Sequence, residues 1–315
     1  MTTPTFEASQ WALILGGSSG FGLATAKKLA RAGMSVAIAH RDRKGAMAAI
    51  EPHFQSIRDL GRGFVTFNVD ALSPEGRGAV LDALATHLGD TGRVRVLMHS
   101  IAFGNLKLVA PPKGLGDAAA SARARLAEKL GVDVARVTDA VIALASEVDA
   151  VCDLAPPPAY DTDAMLEEED FARTVHSMGT SLVGWTQDLL ARRMFAADAR
   201  VIGMTSEGNE VAWRGYAAVA AAKVALESVC RAMALELAPY GIRSNVVQAG
   251  VTDTPALRLI PGSAQMKAAA RLRNPFGRLT TPADVADVIY LLCTDEARWI
   301  NGTIVRVDGG EHISG

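Results

Sequence analysis

The sequence predicts an α/β fold, a doubly wound parallel sheet with helices on both faces and a mostly helical insertion after the fourth strand. Three observations carry that prediction. Short apolar runs recur along the chain with helical stretches between them. A glycine-rich turn stands where the first run gives way to the first helix. One stretch, from about residue 104 to 170, breaks the rhythm and contains nothing that reads as a sheet strand.

Taken in order, the strand candidates are Trp11–Leu15, Ser35–Ala39, Gly63–Asn68, Val94–His99, Arg200–Thr205, Ser244–Gln248 and Thr303–Val307. Near-continuous apolar runs suit parallel strands that are buried on both faces. Between them, Leu23–Ala32, Gly78–Leu88, Phe171–Phe195, Ala217–Ala238 and Pro282–Leu292 carry apolar residues at helical spacing. Gly33 and Gly241 stand where helices should stop, because glycine adopts the left-handed turn that ends them.

The insertion is rich in alanine and charge. Asp117–Leu130 and Val134–Ala150 read as its helices, followed by Pro156-Pro157-Pro158 and Glu167-Glu168-Glu169. The acidic run reads as a solvated helix start, where carboxylates meet the positive end of the dipole. Residues 1–315 are expected to form one domain with this insertion.

With 49% hydrophobic and 21% charged residues, the 315-residue chain can bury a large core. Lysine and arginine number 32 against 34 acidic residues, a balance that gives no footprint for nucleic acid or an acidic membrane face. Cys152, Cys230 and Cys293 are far apart, so neither a disulfide framework nor a metal site is expected. The absence of a long apolar run or a signal-like N-terminus at Met1–Gln10 predicts a cytoplasmic protein.

The chemistry begins at Leu15-Gly16-Gly17-Ser18-Ser19-Gly20-Phe21-Gly22. A glycine-rich turn between a strand and a helix lets backbone amides approach a pyrophosphate, with the helix dipole behind them. That context predicts a Rossmann-type dinucleotide cradle from Gly16, Ser18, Ser19, Gly20, Phe21 and Gly22. Further on, Tyr216 and Lys223 are seven residues apart. At about 100° per residue, seven steps return within roughly 20° of the start, so both side chains leave a helix on one face. A phenol there can donate to a developing oxyanion while the ammonium stabilises charge.

These segments resemble the short-chain dehydrogenases/reductases. Gly16, Gly20 and Gly22 match that family's Gly-x-x-x-Gly-x-Gly loop, although Leu15 stands where threonine is common. Asp70-Ala71 resembles its adenine-binding pair, and Asn301–Gly310 its closing strand and turn. Most members space their Tyr and Lys four apart. The spacing of seven, with Ser206 17 residues before Lys223, resembles the enoyl-acyl-carrier-protein reductases, as does Met98-His99-Ser100-Ile101-Ala102-Phe103.

The resemblance implies that Ser206, Tyr216 and Lys223 are catalytic, that Lys223 also binds the nicotinamide ribose, and that Ser100, Ile101 and Ala102 line the nicotinamide. Gly250, Val251, Thr252 and Thr254 resemble the loop holding the carboxamide, and Pro255–Asn274 the mobile helices over the substrate. His99 reads as a hydrogen-bonded residue at a strand end. There are departures. Ser206 stands where common enoyl reductases carry a second tyrosine, Ser177 replaces the superfamily's asparagine on the fifth helix, and the long insertion is outside the family pattern.

The second strand ends in Ala39-His40-Arg41-Asp42-Arg43. A guanidinium pairs with a 2′-phosphate, so Arg41 and Arg43 favour NADPH, whereas Asp42 between them suits NADH. The implied activity is NAD(P)H-dependent reduction of a trans-2-enoyl thioester on acyl carrier protein or coenzyme A, in a protein that is tetrameric by resemblance. Two alternatives stay open: a carbonyl reductase or alcohol dehydrogenase of the same superfamily, and a non-catalytic dinucleotide-binding protein.

Overall fold

The computed structural model describes residues 5–113, 116–145 and 147–314. Residues 1–4 of the N-terminal segment and Ser146, which falls within the helix expected over Val134–Ala150, lie outside them. Seven parallel strands form one sheet in the order β3-β2-β1-β4-β5-β6-β7. They are β1 (Gln10–Leu15), β2 (Ser35–His40), β3 (Phe64–Asn68), β4 (Arg93–His99), β5 (Phe195–Ser206), β6 (Ile242–Ala249) and β7 (Ile304–Val307).

Alternation along the strands feeds two cores. Ala12 and Ile14 of β1 and Val36 and Ile38 of β2 face one side. There they meet α1 (Gly20–Arg31), α2 (Lys44–Arg58) and α10 (Pro282–Cys293) through Leu29, Phe54 and Ile289. Trp11, Leu13 and Leu15 face the other side, against α3 (Pro74–Leu88), α7 (Ser181–Ala191) and α8 (Ala217–Glu236) through Leu84, Trp185 and Leu226. Each such fully buried side chain stabilises the fold by about 1.5–3 kcal/mol.

Several sequence boundaries move. Helix α2 was not anticipated: Pro52 sits inside it, where proline removes a hydrogen bond and masks the helical pattern of Ile50, Phe54 and Ile57. Helix α3 starts at Pro74, before the expected Gly78, because the Ser73 hydroxyl caps it by accepting from Gly76 N at 2.9 Å.

The single helix expected over Phe171–Phe195 is three pieces, α6 (Glu168–Val175), a π-helical turn (His176–Thr180) and α7. The turn brings Gly179 against α8 so closely that a Cβ there would lie 2.8 Å from Ala222 O. Helix α7 stops at Ala191 because Arg193 takes φ 56° and Met194 N bonds back to Leu189 O at 3.0 Å. Phe195 then enters β5, opposite Val94.

In the insertion, α4 (Ala120–Leu130) starts three residues later than expected, and Asp117 instead pairs with Arg123. Helix α5 (Val134–Leu144) ends before Ala150, and a 3-10 turn covers Asp149–Leu154. No strand occurs among the described residues of this segment. Its base is closed by Lys107 Nζ to Asp170 Oδ2 at 2.6 Å and Leu166 N to Leu108 O at 2.8 Å. The acidic run forms the expected helix start, with Glu167 and Asp170 making a reciprocal capping box on α6.

Candidate active site

At the carboxyl ends of β1 to β6 the chain turns around a cleft of about 620 Å³. This is the crevice where a doubly wound sheet reverses its strand order, between β1 and β4. Gly16, Ser18, Ser19, Gly20 and Phe21 form its floor. Gly16 is left-handed at φ 83°, and a Cβ on it would lie 2.6 Å from Ser100 O. Ser19 precedes α1 without a side-chain cap, so the helix offers its first amides to the cleft. Gly22 is not in the cleft wall. It sits behind the loop, where a Cβ would be 2.3 Å from Gly16 O, so its part is the close packing of α1 on the turn.

Arg41, Asp42, Asp70 and Ala71 line one end. Arg41 Nη1 bonds Asp70 Oδ2 at 3.0 Å and the guanidinium lies 4.7 Å from the Phe103 ring centre. Asp42 Oδ2 meets His40 Nδ1 at 2.8 Å. Arg43, expected beside Arg41, instead precedes α2 as its exposed N-cap and does not line the cleft.

Ser100, Ile101 and Ala102 line the cleft after β4. Ser100 N is fixed to Leu15 O at 2.8 Å. His99 is buried with Nε2 2.9 Å from Ser181 Oγ, and burial pushes its pKa down to about 3. It is a neutral hydrogen-bonded strand-end residue. Ser177 is also buried, its hydroxyl donating to the carbonyls of Phe103 and Thr174.

Ser206, Tyr216 and Lys223 face the same space. Tyr216 is the N-cap of α8, not a residue within it, and its carbonyl accepts from Ala220 N at 2.8 Å. Lys223 lies two turns into the rod, and the pair still opens on one face. Gly208 makes room for the phenol, since a Cβ there would be 2.4 Å from Tyr216 Cε1. Burial raises the phenol's pKa, and the neighbouring Ser206 hydroxyl pulls it the other way. The two hydroxyls adjoin without closing a bond, for Ser206 Oγ is buried with no partner among the described residues.

Lys223 Nζ donates to Met204 O at 2.9 Å, and burial lowers its pKa to about 8. Part of that cost is offset by Glu227, one turn on and 6% exposed. Glu227 accepts from Thr205 Oγ1 at 2.5 Å and Asn209 Nδ2 at 2.7 Å, tying α8 to the strand end that carries Ser206.

Gly250, Val251, Thr252 and Thr254 complete the wall after β6. Val251 N is held by Glu311 Oε2 at 3.2 Å, and Thr254 Oγ1 accepts from Leu257 N at 3.2 Å. Beyond them come a 3-10 turn (Leu257–Leu259) and α9 (Ser263–Arg273). The apolar end of the cleft is lined by Leu259 and Met266, from the segment expected over the substrate, and by Leu106, Met178 and Trp213, which the sequence did not single out. Those residue types also fill cores, so nothing local marked them.

No group of three His, Cys, Asp or Glu among the described residues could hold a metal ion. Among them, too, no helix is long and apolar enough to cross a membrane.

Comparison with known proteins bears on this arrangement. Residues 131–312 match the family model described as enoyl-(acyl carrier protein) reductase, and residues 10–111 that of short chain dehydrogenase. The NADH-dependent enoyl-[acyl-carrier-protein] reductase of Aquifex aeolicus is 36% identical over 135 residues, 43% of this chain and only 50% of that protein. The cis-4-hydroxycyclohexanecarboxylate dehydrogenase of Sinomonas cyclohexanicum is 26% identical over 304 residues, 96% of each chain. The solved structure of the Aquifex aeolicus reductase superposes with a TM-score of 0.69 over 99% of both chains at 23% identity, a likeness of fold. The chain belongs to the short-chain dehydrogenase/reductase superfamily of oxidoreductases and is enoyl-acyl-carrier-protein reductase-like within it.

Proposed function

We propose that the protein uses a nicotinamide dinucleotide, NADPH in preference to NADH, to reduce the 2,3 double bond of a trans-2-enoyl thioester. The observation that carries the reading is the placement of Tyr216 at the head of α8, seven residues before Lys223, with both side chains on one cleft.

The cleft suits a dinucleotide. Its glycine turn is packed so tightly that a Cβ at Gly16 or Gly22 would strike backbone, and the uncapped start of α1 presents amides to a pyrophosphate. Asp70 and Ala71 would hold the adenine, Arg41 a 2′-phosphate, Lys223 the nicotinamide-side ribose, and Val251, Thr252 and Thr254 the carboxamide. Arg41 can serve because its exposed pair with Asp70 is worth about 0–1 kcal/mol and yields to a phosphate.

When bound, the cofactor would supply the hydride for the β-carbon, and a proton taken up at the α-carbon would discharge the enolate and complete the reduction. Tyr216 donates a hydrogen bond to the thioester carbonyl as negative charge grows there, and its raised pKa keeps the proton on the phenol. The unpartnered Ser206 hydroxyl stands ready to orient that phenol or the substrate oxygen. The apolar lining of Leu106, Met178, Trp213, Leu259 and Met266 suits the acyl chain.

A second reading, reduction of a ketone, is favoured by Ser206 beside Tyr216 and by the Sinomonas cyclohexanicum relative. NADPH oxidation with crotonyl-coenzyme A and with acetoacetyl-coenzyme A separates the two. The proposal expects turnover of the enoyl ester well above that of the ketone; the reverse order overturns it, and tight NADPH binding without turnover of either supports the non-catalytic alternative. We include in the proposal a cytoplasmic location, acyl carrier protein or coenzyme A as carrier, and a homo-oligomer. Val224 and Leu235 on the outer face of α8, 46% and 78% exposed, offer apolar surface for that assembly, which sedimentation tests.

A further inference from the structure

Of the described residues of the insertion, Gly104 and Leu106 at its base line the cleft, and the wall then passes to Met178. The insertion nevertheless grips α9, which brings Met266 to the cleft's apolar end. Asp149, first residue of the 3-10 turn, takes Arg271 of α9 in a two-pronged pair, Nε to Oδ2 at 2.7 Å and Nη2 to Oδ1 at 2.5 Å. Arg271 is 122 residues away in sequence. At the other end of α9, its N-cap Gly262 is left-handed at φ 82°, and a Cβ there would lie 3.1 Å from Pro158 Cγ. The insertion thus seats α9 at both ends.

The gripping turn is itself rigidly held. Val151 and Leu154 pack on Ala127, Val137 and Val141, a small core separate from the two sheet cores. Arg123, 4% exposed, donates to Leu154 O at 2.8 Å and pairs with Asp117. Force on Asp149 is therefore carried into a packed helical hairpin. On the cleft side, Met266 lines the cavity from α9, and Arg273 bonds Glu207, the neighbour of Ser206, and Glu311.

We propose that Asp149 and Arg271 are positioning residues, a latch by which the insertion fixes α9 and so sets the depth of the acyl end of the cleft. The two-pronged geometry and part-buried setting, with side chains 24% and 31% exposed, make this pair stronger than an open surface ion pair. The described residues of the insertion beyond Leu106 then act on substrate fit through α9 without lining the cleft. For the identity of that substrate the inference rests on the enoyl-thioester reading; for the latch itself it does not.

The test uses the full-length protein, Asp149→Ala, and the exchanged double variant Asp149→Arg with Arg271→Asp. Hydrogen exchange is followed in residues 263–273. A lost charged hydrogen-bond pair predicts about tenfold faster exchange across α9 in Asp149→Ala, and recovery in the exchanged variant. In steady state, the KM for crotonyl- and decenoyl-coenzyme A rises about three- to tenfold in Asp149→Ala, with kcat and the NADPH Kd steady. Unchanged exchange in Asp149→Ala, or no recovery on exchanging the pair, overturns the latch. Altered exchange with recovery, in a protein that turns over no enoyl thioester, upholds the latch and rejects the substrate reading. A fall in kcat with KM unmoved overturns the link to substrate fit.

Discussion

Replacing Lys223 with methionine should make the protein more stable and weaken its hold on the cofactor. The magnitude follows from burial. Lys223 is 8% exposed and its pKa falls from 10.5 to about 8. Each pKa unit is about 1.4 kcal/mol, so holding the ammonium in the folded protein at neutral pH costs roughly 3 kcal/mol. Methionine removes that cost, but loses the hydrogen bond to Met204 O, worth about 1 kcal/mol, and leaves Glu227 without its cation. The net gain is about 1–2 kcal/mol, or a Tm increase of roughly 2–3 °C for a chain of this size. The sign has a pH signature. A lysine whose folded pKa is depressed costs stability fully below pH 8, and the cost disappears as pH rises to 10.5, because the unfolded chain binds more protons in that window. Thermal unfolding of both proteins at pH 7 and pH 10 checks this, with NADPH affinity followed by fluorescence. The variant's advantage should shrink at pH 10 while its NADPH Kd is at least about tenfold weaker, a loss of one charged hydrogen-bond donor. Equal or lower stability of the variant at pH 7, or an advantage independent of pH, refutes the reasoning.

Three further outcomes test other parts of the cleft. Gly22→Ala forces a Cβ to within 2.3 Å of Gly16 O, so NADPH affinity should fall at least about tenfold, whereas Gly45→Ala, where nothing lies within 4 Å, should leave it unchanged; isothermal titration compares them. Arg41→Ala should weaken NADPH by about 10- to 100-fold with little change for NADH, and equal losses for the two would remove Arg41 from 2′-phosphate recognition. Gly208→Ala places a Cβ 2.4 Å from the Tyr216 ring and should lower kcat with the NADPH Kd held; unchanged kcat would show that the phenol has freedom to move aside.

The central strands were readable because they bury both faces, so Trp11–Leu15 and Val36–Ala39 are apolar without interruption. The glycine turn was readable because close backbone approach demands glycine there, and the Tyr216–Lys223 spacing because seven residues return to one face of a helix. What escaped depended on distant partners. Helix α2 survives Pro52 because Phe54 and Ile57 are buried under the sheet, which no local pattern reveals. The π-helical turn at His176–Thr180 accompanies the close approach of Gly179 to α8. Arg41 was visible as a charge, but its pairing with Asp70 joins residues 29 apart. Arg43 looked equivalent to it and is turned away as the N-cap of α2. The hold of Asp149 on Arg271 spans 122 residues, so no local pattern reveals it.

In the proposed reaction the Tyr216 phenol is the donor to the substrate carbonyl. Tyr216→Phe removes one oxygen and leaves the glycine turn and Lys223 in place, so the rate of crotonyl-thioester reduction with saturating NADPH isolates that donor. The predicted result is a kcat lower by about 10²- to 10³-fold with the NADPH Kd within about twofold of the native protein. Native turnover in the phenylalanine variant would contradict it.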